Sequence, residues 1–209
     1  MKLFLCSTVV SAAQLPTFLQ LSGAGKPQDI KLGLIENAAD GEEGDKTWML
    51  DTRRTLAAHG FTLDNINLQD YTQDNAGLSE RLAACNVIWI GGGNTFYLRW
   101  ILRQTGADKI IKKLVQQGTV YAGGSAGAIV AGPTLQYFDS ADDASAAPEL
   151  IWDGLKLTDS VVVPHFGNPA FDAVCSDIAN NLEADGYSVV RLTDAQALVI
   201  DDEEAPEII

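Results

Sequence analysis

Short apolar runs, separated by stretches of helix length, recur along this chain and narrow its fold more than any other feature. The runs cover residues 3–6, 30–35, 62–68, 87–91, 119–122, 161–164, 189–192 and 197–200. The earlier ones are apolar at successive positions, not only at alternate ones. Strands of that kind are buried on both faces, as in parallel sheets covered by helices on each side. Helices are predicted between them. Asp45 is placed to cap one that runs to His59 and stops at Gly60. Others are predicted over 78–84, 95–104, 107–117 and 170–184. The alternation predicts an α/β fold, a three-layer α/β/α sandwich around a mostly parallel, doubly wound sheet. A length of 209 residues suits a single domain spanning 1–209.

Composition excludes several classes of function. The chain is 46% hydrophobic and 20% charged, as globular proteins are, and its formal net charge is −14. So acidic a surface repels nucleic acid and anionic membrane, so neither is expected as a partner. Cys6, Cys85 and Cys175 are scattered and odd in number, which gives neither a disulfide framework nor a zinc site. Reduced, buried thiols in a cytoplasmic protein are expected. Residues 1–13 start basic, continue apolar and end small, which resembles a secretory signal. A first buried strand over 2–6 turning into a helix is the preferred reading. No run approaches the ~18 apolar residues of a membrane span. The acidic stretch 139–147 reads as an exposed loop, and 201–206 as a turn before a last short strand.

The chemistry concentrates in Tyr121-Ala122-Gly123-Gly124-Ser125-Ala126-Gly127-Ala128. A strand, a sharp turn bearing a serine and a helix follow one another. Gly123, Ser125 and Gly127 fit the G-x-S-x-G nucleophile elbow, in which small neighbours let the chain bend around an exposed hydroxyl. A helix beginning at that serine directs backbone N–H groups toward an oxyanion formed there. A serine needs a base, and the chain has two histidines. His59, at a helix end, reads as structural. His165 follows Val161-Val162-Val163-Pro164 and so emerges at the carboxyl end of a buried strand, where open α/β sheets place their sites. The carboxylate that orients the base is expected at Asp194, with Asp139, Asp142 and Asp143 as rivals. Gly91-Gly92-Gly93-Asn94-Thr95 ends another strand. It lacks both the G-x-G-x-x-G spacing and the P-loop lysine, and reads best as a second oxyanion donor opposite the Ala126 N–H.

These motifs together resemble the peptidase E family of serine peptidases, which includes aspartyl dipeptidases and is related to cyanophycinase. The resemblance rests on Gly91-Gly92-Gly93-Asn94-Thr95-Phe96, Gly124-Ser125-Ala126-Gly127-Ala128, Pro133 and Pro164-His165-Phe166. It implies a flavodoxin-like sandwich akin to the class I glutamine amidotransferase domain, with serine in place of cysteine. It implies Ser125 as nucleophile, His165 as base and Asp194 as the acid. Gly93 and Ala126 would form the oxyanion hole, and Asn94 and Thr95 would be substrate-binding positions. The implied activity is hydrolysis of short peptides by a dipeptidase or exopeptidase without metal or cofactor, acting as monomer or homodimer. An esterase or amidase on the same residues, and a binding module that keeps the fold, are the alternatives. In the aspartyl dipeptidases an arginine-bearing segment after the histidine recognises the substrate's aspartyl group. Residues 167–175 carry no Arg or Lys, which leaves Arg53, Arg54, Arg99 and Arg103 as arginines that could reach the site.

Overall fold

The computed structural model describes residues 1–202 and 204–209; Glu203, within the turn expected at 201–206, lies outside the described residues. In chain order the elements are β1 (Lys2–Cys6), α1 (Leu15–Ser22), β2 (Lys31–Ile35), α2 (Thr47–His59), β3 (Thr62–Asn65), α3 (Asn75–Ala83), β4 (Val87–Ile90), α4 (Thr95–Gln104), α5 (Ala107–Gln116), β5 (Val120–Gly124), α6 (Ala126–Ala131), β6 (Ser160–Val163), α7 (Asp172–Ala184), β7 (Ser188–Arg191), β8 (Ala197–Asp201) and β9 (Glu207–Ile208). Seven strands form one sheet in the order β3-β2-β4-β5-β1-β8-β9. The first five are parallel; β8 runs antiparallel to β1, and β9 to β8.

Side chains alternate across this sheet and divide the core in two. Leu3, Leu5, Ile88, Ile90 and Tyr121 face one cluster, with Leu78, Leu98, Ile101, Ile111, Ala128 and Ile178 from the helices α3 to α7. Phe4, Cys6, Val87, Trp89, Val120 and Ala122 face the other, with Phe18 and Leu21 of α1 and Leu56 of α2. Helices therefore cover both faces, which is why the inner strands are apolar at successive positions. In the second cluster Phe18 packs edge-on to Phe4 at 5.0 Å and to Phe61 at 5.5 Å.

Some boundaries differ from the sequence reading. The run 62–68 stays a strand only to Asn65 and then turns into a 3₁₀ segment, Leu68–Tyr71, whose first turn the Asn67 side chain caps by accepting from Gln69 N–H. The helix predicted over 78–84 begins at Asn75, because the Asp74 carboxylate accepts from Gly77 N–H and caps it. The apolar runs 161–164 and 189–192 do not join the main sheet. β6 and β7 pair only with each other, in parallel, from Ser160 opposite Ser188 to Val163 opposite Arg191. The place beside β1 is taken by β8, paired from Lys2 opposite Asp201 to Cys6 opposite Ala197. The N-cap of α2 is Lys46, whose side chain caps nothing; Asp45, one residue earlier, accepts from Thr47 N–H at 2.9 Å without occupying the cap position.

Candidate active site

Ser125 joins β5 to α6 with φ +50° and ψ −114°, a left-handed backbone that a side-chain-bearing residue adopts only when its surroundings impose it. Those surroundings are glycines without room for a Cβ. An added Cβ would lie 2.4 Å from Gly127 O at Gly123, 2.2 Å from Thr8 O at Gly124 and 2.1 Å from Ile90 O at Gly127. The elbow is thus locked between β4, β1 and the head of α6. Ala126 N–H heads α6, where the helix provides no internal acceptor. The glycine loop after β4 closes on the serine: a Cβ on Gly92 would lie 3.1 Å from Ser125 Cβ. Gly93 has φ +124° and would drive a Cβ to 2.5 Å from the Ala38 backbone.

His165 also has a left-handed backbone, φ +61°, and leaves β6 toward Ser125. Its Nε2 lies 3.0 Å from Ser125 Oγ, and its Nδ1 lies 2.6 Å from Asp194 Oδ1. A carboxylate only accepts, so Nδ1 carries the proton and Nε2 presents its lone pair to the serine hydroxyl. Asp194 sits in the turn between β7 and β8. Burial pushes its carboxyl up, but hydrogen bonds from His165, Asn168 and Ser7 together hold it below its ordinary value. The Asn168 amide donates to Oδ2 at 2.7 Å, and Thr8 Oγ1 donates to the Asp194 carbonyl at 3.1 Å.

Ser7 is the residue the sequence reading missed. It is fully buried at the carboxyl end of β1. Its hydroxyl accepts the His165 backbone N–H at 2.7 Å, donates to Asp194 Oδ1 at 3.0 Å and lies 3.3 Å from His165 Nδ1. No motif marks it; its place, the first residue past β1, gains meaning only with β1 set between β5 and β8.

The rival carboxylates go elsewhere. Asp142 accepts from Thr95 N–H at 2.9 Å, and Asp143 accepts from the N–H and hydroxyl of Ser145; Asp139 is exposed in the turn Phe138–Ser140. Burial pushes the Asp142 carboxyl up, opposed by hydrogen bonds from Thr95 and by attraction to His165. Asp142 is therefore drawn inward from a stretch expected to be exposed throughout. Asn94 and Thr95 are buried, at 1% and 0% exposure. The Asn94 amide caps α4 by accepting from Tyr97 N–H and donates to the Asp143 carbonyl, so it is spent on holding this loop.

Each of the four arginines is engaged by a carboxylate. Arg53 pairs with Glu36, Arg54 with Asp51, Arg99 with Asp108 and Arg103 with Glu149. His59 binds the Val10 carbonyl through Nε2 at 2.9 Å, a structural contact. Among the described residues no cluster of three or more His, Cys, Asp and Glu side chains is arranged to hold a metal ion. Among the same residues no helix is long and apolar enough to cross a membrane.

The model of one family, Peptidase family S51, matches residues 17–208. The chain belongs to peptidase family S51. It is a serine-type peptidase. This S51 chain is 34% identical over 171 residues to an uncharacterised peptidase of Pasteurella multocida, covering 81% of this chain and 79% of that protein. It is 30% identical over 116 residues to a peptidase E of Nostoc, covering 56% of this chain and 44% of that protein. A crystal structure of a protein provisionally named peptidase E from Listeria monocytogenes superposes with a TM-score of 0.85 at 26% identity, over 100% of this chain and 97% of that one. A peptidase from an acI-B1 actinobacterium, at a TM-score of 0.69 and 19% identity over 100% of this chain and 86% of that one, shares the fold.

Proposed function

We propose that this S51 peptidase is an exopeptidase of the dipeptidase type, a single cytoplasmic catalytic domain that cleaves short peptides through an acyl-enzyme on Ser125. The observation that carries the reading is the hydrogen-bonded line from Ser125 Oγ to His165 Nε2, 3.0 Å, and from His165 Nδ1 to Asp194 Oδ1, 2.6 Å. Ser125 Oγ attacks the peptide carbonyl while Nε2 takes its proton, and the ionised Asp194 stabilises the imidazolium that results. The Gly93 and Ala126 N–H groups receive the negative charge that develops on the carbonyl oxygen. Collapse of the tetrahedral intermediate breaks the C–N bond, and Nε2 returns its proton to the departing amine. Water then attacks the ester by the same route and frees Ser125. Every proton in this cycle is held by a named side chain, so the chemistry calls for no cofactor.

Replacing Ser125 by Ala tests the assignment. Turnover of a dipeptide library and labelling by a fluorophosphonate are both expected to vanish, while the far-ultraviolet spectrum and melting temperature stay close to those of the parent. Peptide turnover by Ser125→Ala close to the parent rate would remove Ser125 from the reaction.

A further inference from the structure

Phe171 is a large apolar side chain that the fold leaves exposed beside the site. It is 44% exposed, and its ring centroid lies 5.2 Å from that of His165 at an interplanar angle of 34°. An exposed phenylalanine against a reacting imidazole is costly in water and gains when a ligand covers it. The polar groups around it are already committed. Asn168 donates to Asp194 and accepts from Ala170 N–H at 3.0 Å, and Asp172 Oδ1 accepts from Gly167 N–H at 2.9 Å. What this segment turns outward is therefore Pro169, Ala170 and Phe171, all exposed.

Charge at this rim points the same way. Between Leu114 and Val190 the one Lys or Arg is Lys156, which is held by Asp153 at 2.7 Å. Arg191, just beyond, forks onto Glu183 at 2.5 and 3.0 Å and lies over the Phe166 ring. An acidic substrate side chain entering here meets Asp194 and Asp172, and both Lys156 and Arg191 are already held by carboxylates.

We propose that Phe171 selects an apolar residue on the leaving side of the scissile bond. The inference rests on the reading of Ser125 and His165 given above. The departing amine takes its proton from His165 Nε2, so the leaving residue lies along the imidazole that Phe171 flanks. Its side chain covers the Phe171 ring, and acidic leaving residues are turned away.

The test compares kcat/KM for Ala-Phe, Ala-Leu, Ala-Gly and Ala-Asp with the mirrored pair Phe-Ala and Asp-Ala, in the parent enzyme, Phe171→Ala and Phe171→Leu. Ala-Phe is expected to exceed Ala-Asp by about ten-fold or more. In Phe171→Ala the ratio of Ala-Phe to Ala-Gly collapses toward one, and Phe171→Leu recovers part of it. A ratio unmoved by Phe171→Ala overturns the proposal and leaves Phe171 as a brace for His165. Selectivity confined to the mirrored pair overturns it as well. A second arm follows fluorophosphonate labelling of Ser125 with phenylalaninamide or aspartamide present. Protection by phenylalaninamide alone, lost in Phe171→Ala, supports the apolar seat even where no peptide is turned over, and only the peptidase reading then falls. Labelling that neither amide slows overturns the seat.

Discussion

At the scale of single residues, two backbone conformations at the site are uphill: Ser125 at φ +50° and His165 at φ +61°. Each costs on the order of 1–3 kcal/mol and persists only where neighbours hold it. Ser7 holds the second. Its hydroxyl accepts the His165 N–H and donates to Asp194, so one buried group fixes both the main chain of His165 and the Asp194 carboxylate. Ser7→Ala leaves that N–H without its acceptor, at about 1–3 kcal/mol, and frees both neighbours to drift. Peptide turnover and fluorophosphonate labelling of Ser125 are expected to fall together by about one to two powers of ten, with the protein still folded by circular dichroism. Labelling at the parent rate would show that Ser7 does not hold His165 in place. Ser125, His165 and Asp194 could be picked out from the sequence because each follows a recognisable apolar run, and Ser125 lies in a motif. Ser7 could not, because its meaning arises only when β1 is known to lie beside β5 and β8.

At the scale of elements, the elbow is a packing problem before it is a chemical one. β5 turns into α6 so tightly that Gly123, Gly124 and Gly127 touch backbone atoms of α6, of the chain after β1, and of β4. Gly127→Ala would place its methyl 2.1 Å from the Ile90 carbonyl oxygen, against backbone that has no rotamer to yield. Destabilisation of about 3 kcal/mol or more is expected, read as a drop in the urea midpoint. A midpoint within experimental error of the parent would show that β4 and α6 move apart freely. The inner strands of the main sheet were legible because burial on both faces leaves an unmistakable apolar run. The separate pairing of β6 with β7 was not, because an apolar run reports burial without saying which sheet supplies it. The cap that starts α3 at Asn75 was missed for another reason: the first turn, Asn75-Ala76-Gly77, carries no large apolar side chain, and the pattern becomes apolar only at Leu78.

At the scale of the whole molecule, a net charge of −14 makes each well-placed cation matter to the fold. Hydrogen bonding from Arg81, with a smaller contribution from Lys31, holds the Asp64 carboxyl below its ordinary value. Its folded value lies under its unfolded one, near 3.9, so the unfolded chain takes up the proton first as acid is added. The stability it provides is complete above about pH 5 and is lost as pH falls through the folded value. Asp64→Asn is therefore expected to be less stable than the parent at pH 7 and to approach it near pH 3, by urea midpoints at the two values. An equal gap at both would contradict a titrating pair.

β1 precedes the other described elements in the chain, yet it settles between β5 and β8. Its parallel neighbour lies more than a hundred residues further on, and its antiparallel one further still. The segment that carries Ser7 is therefore enclosed only by pairings of very long sequence separation, whose loop-closure cost must be met before they reward the chain. The surroundings of that hydroxyl belong to the assembled sheet and cannot be built by its own stretch of chain.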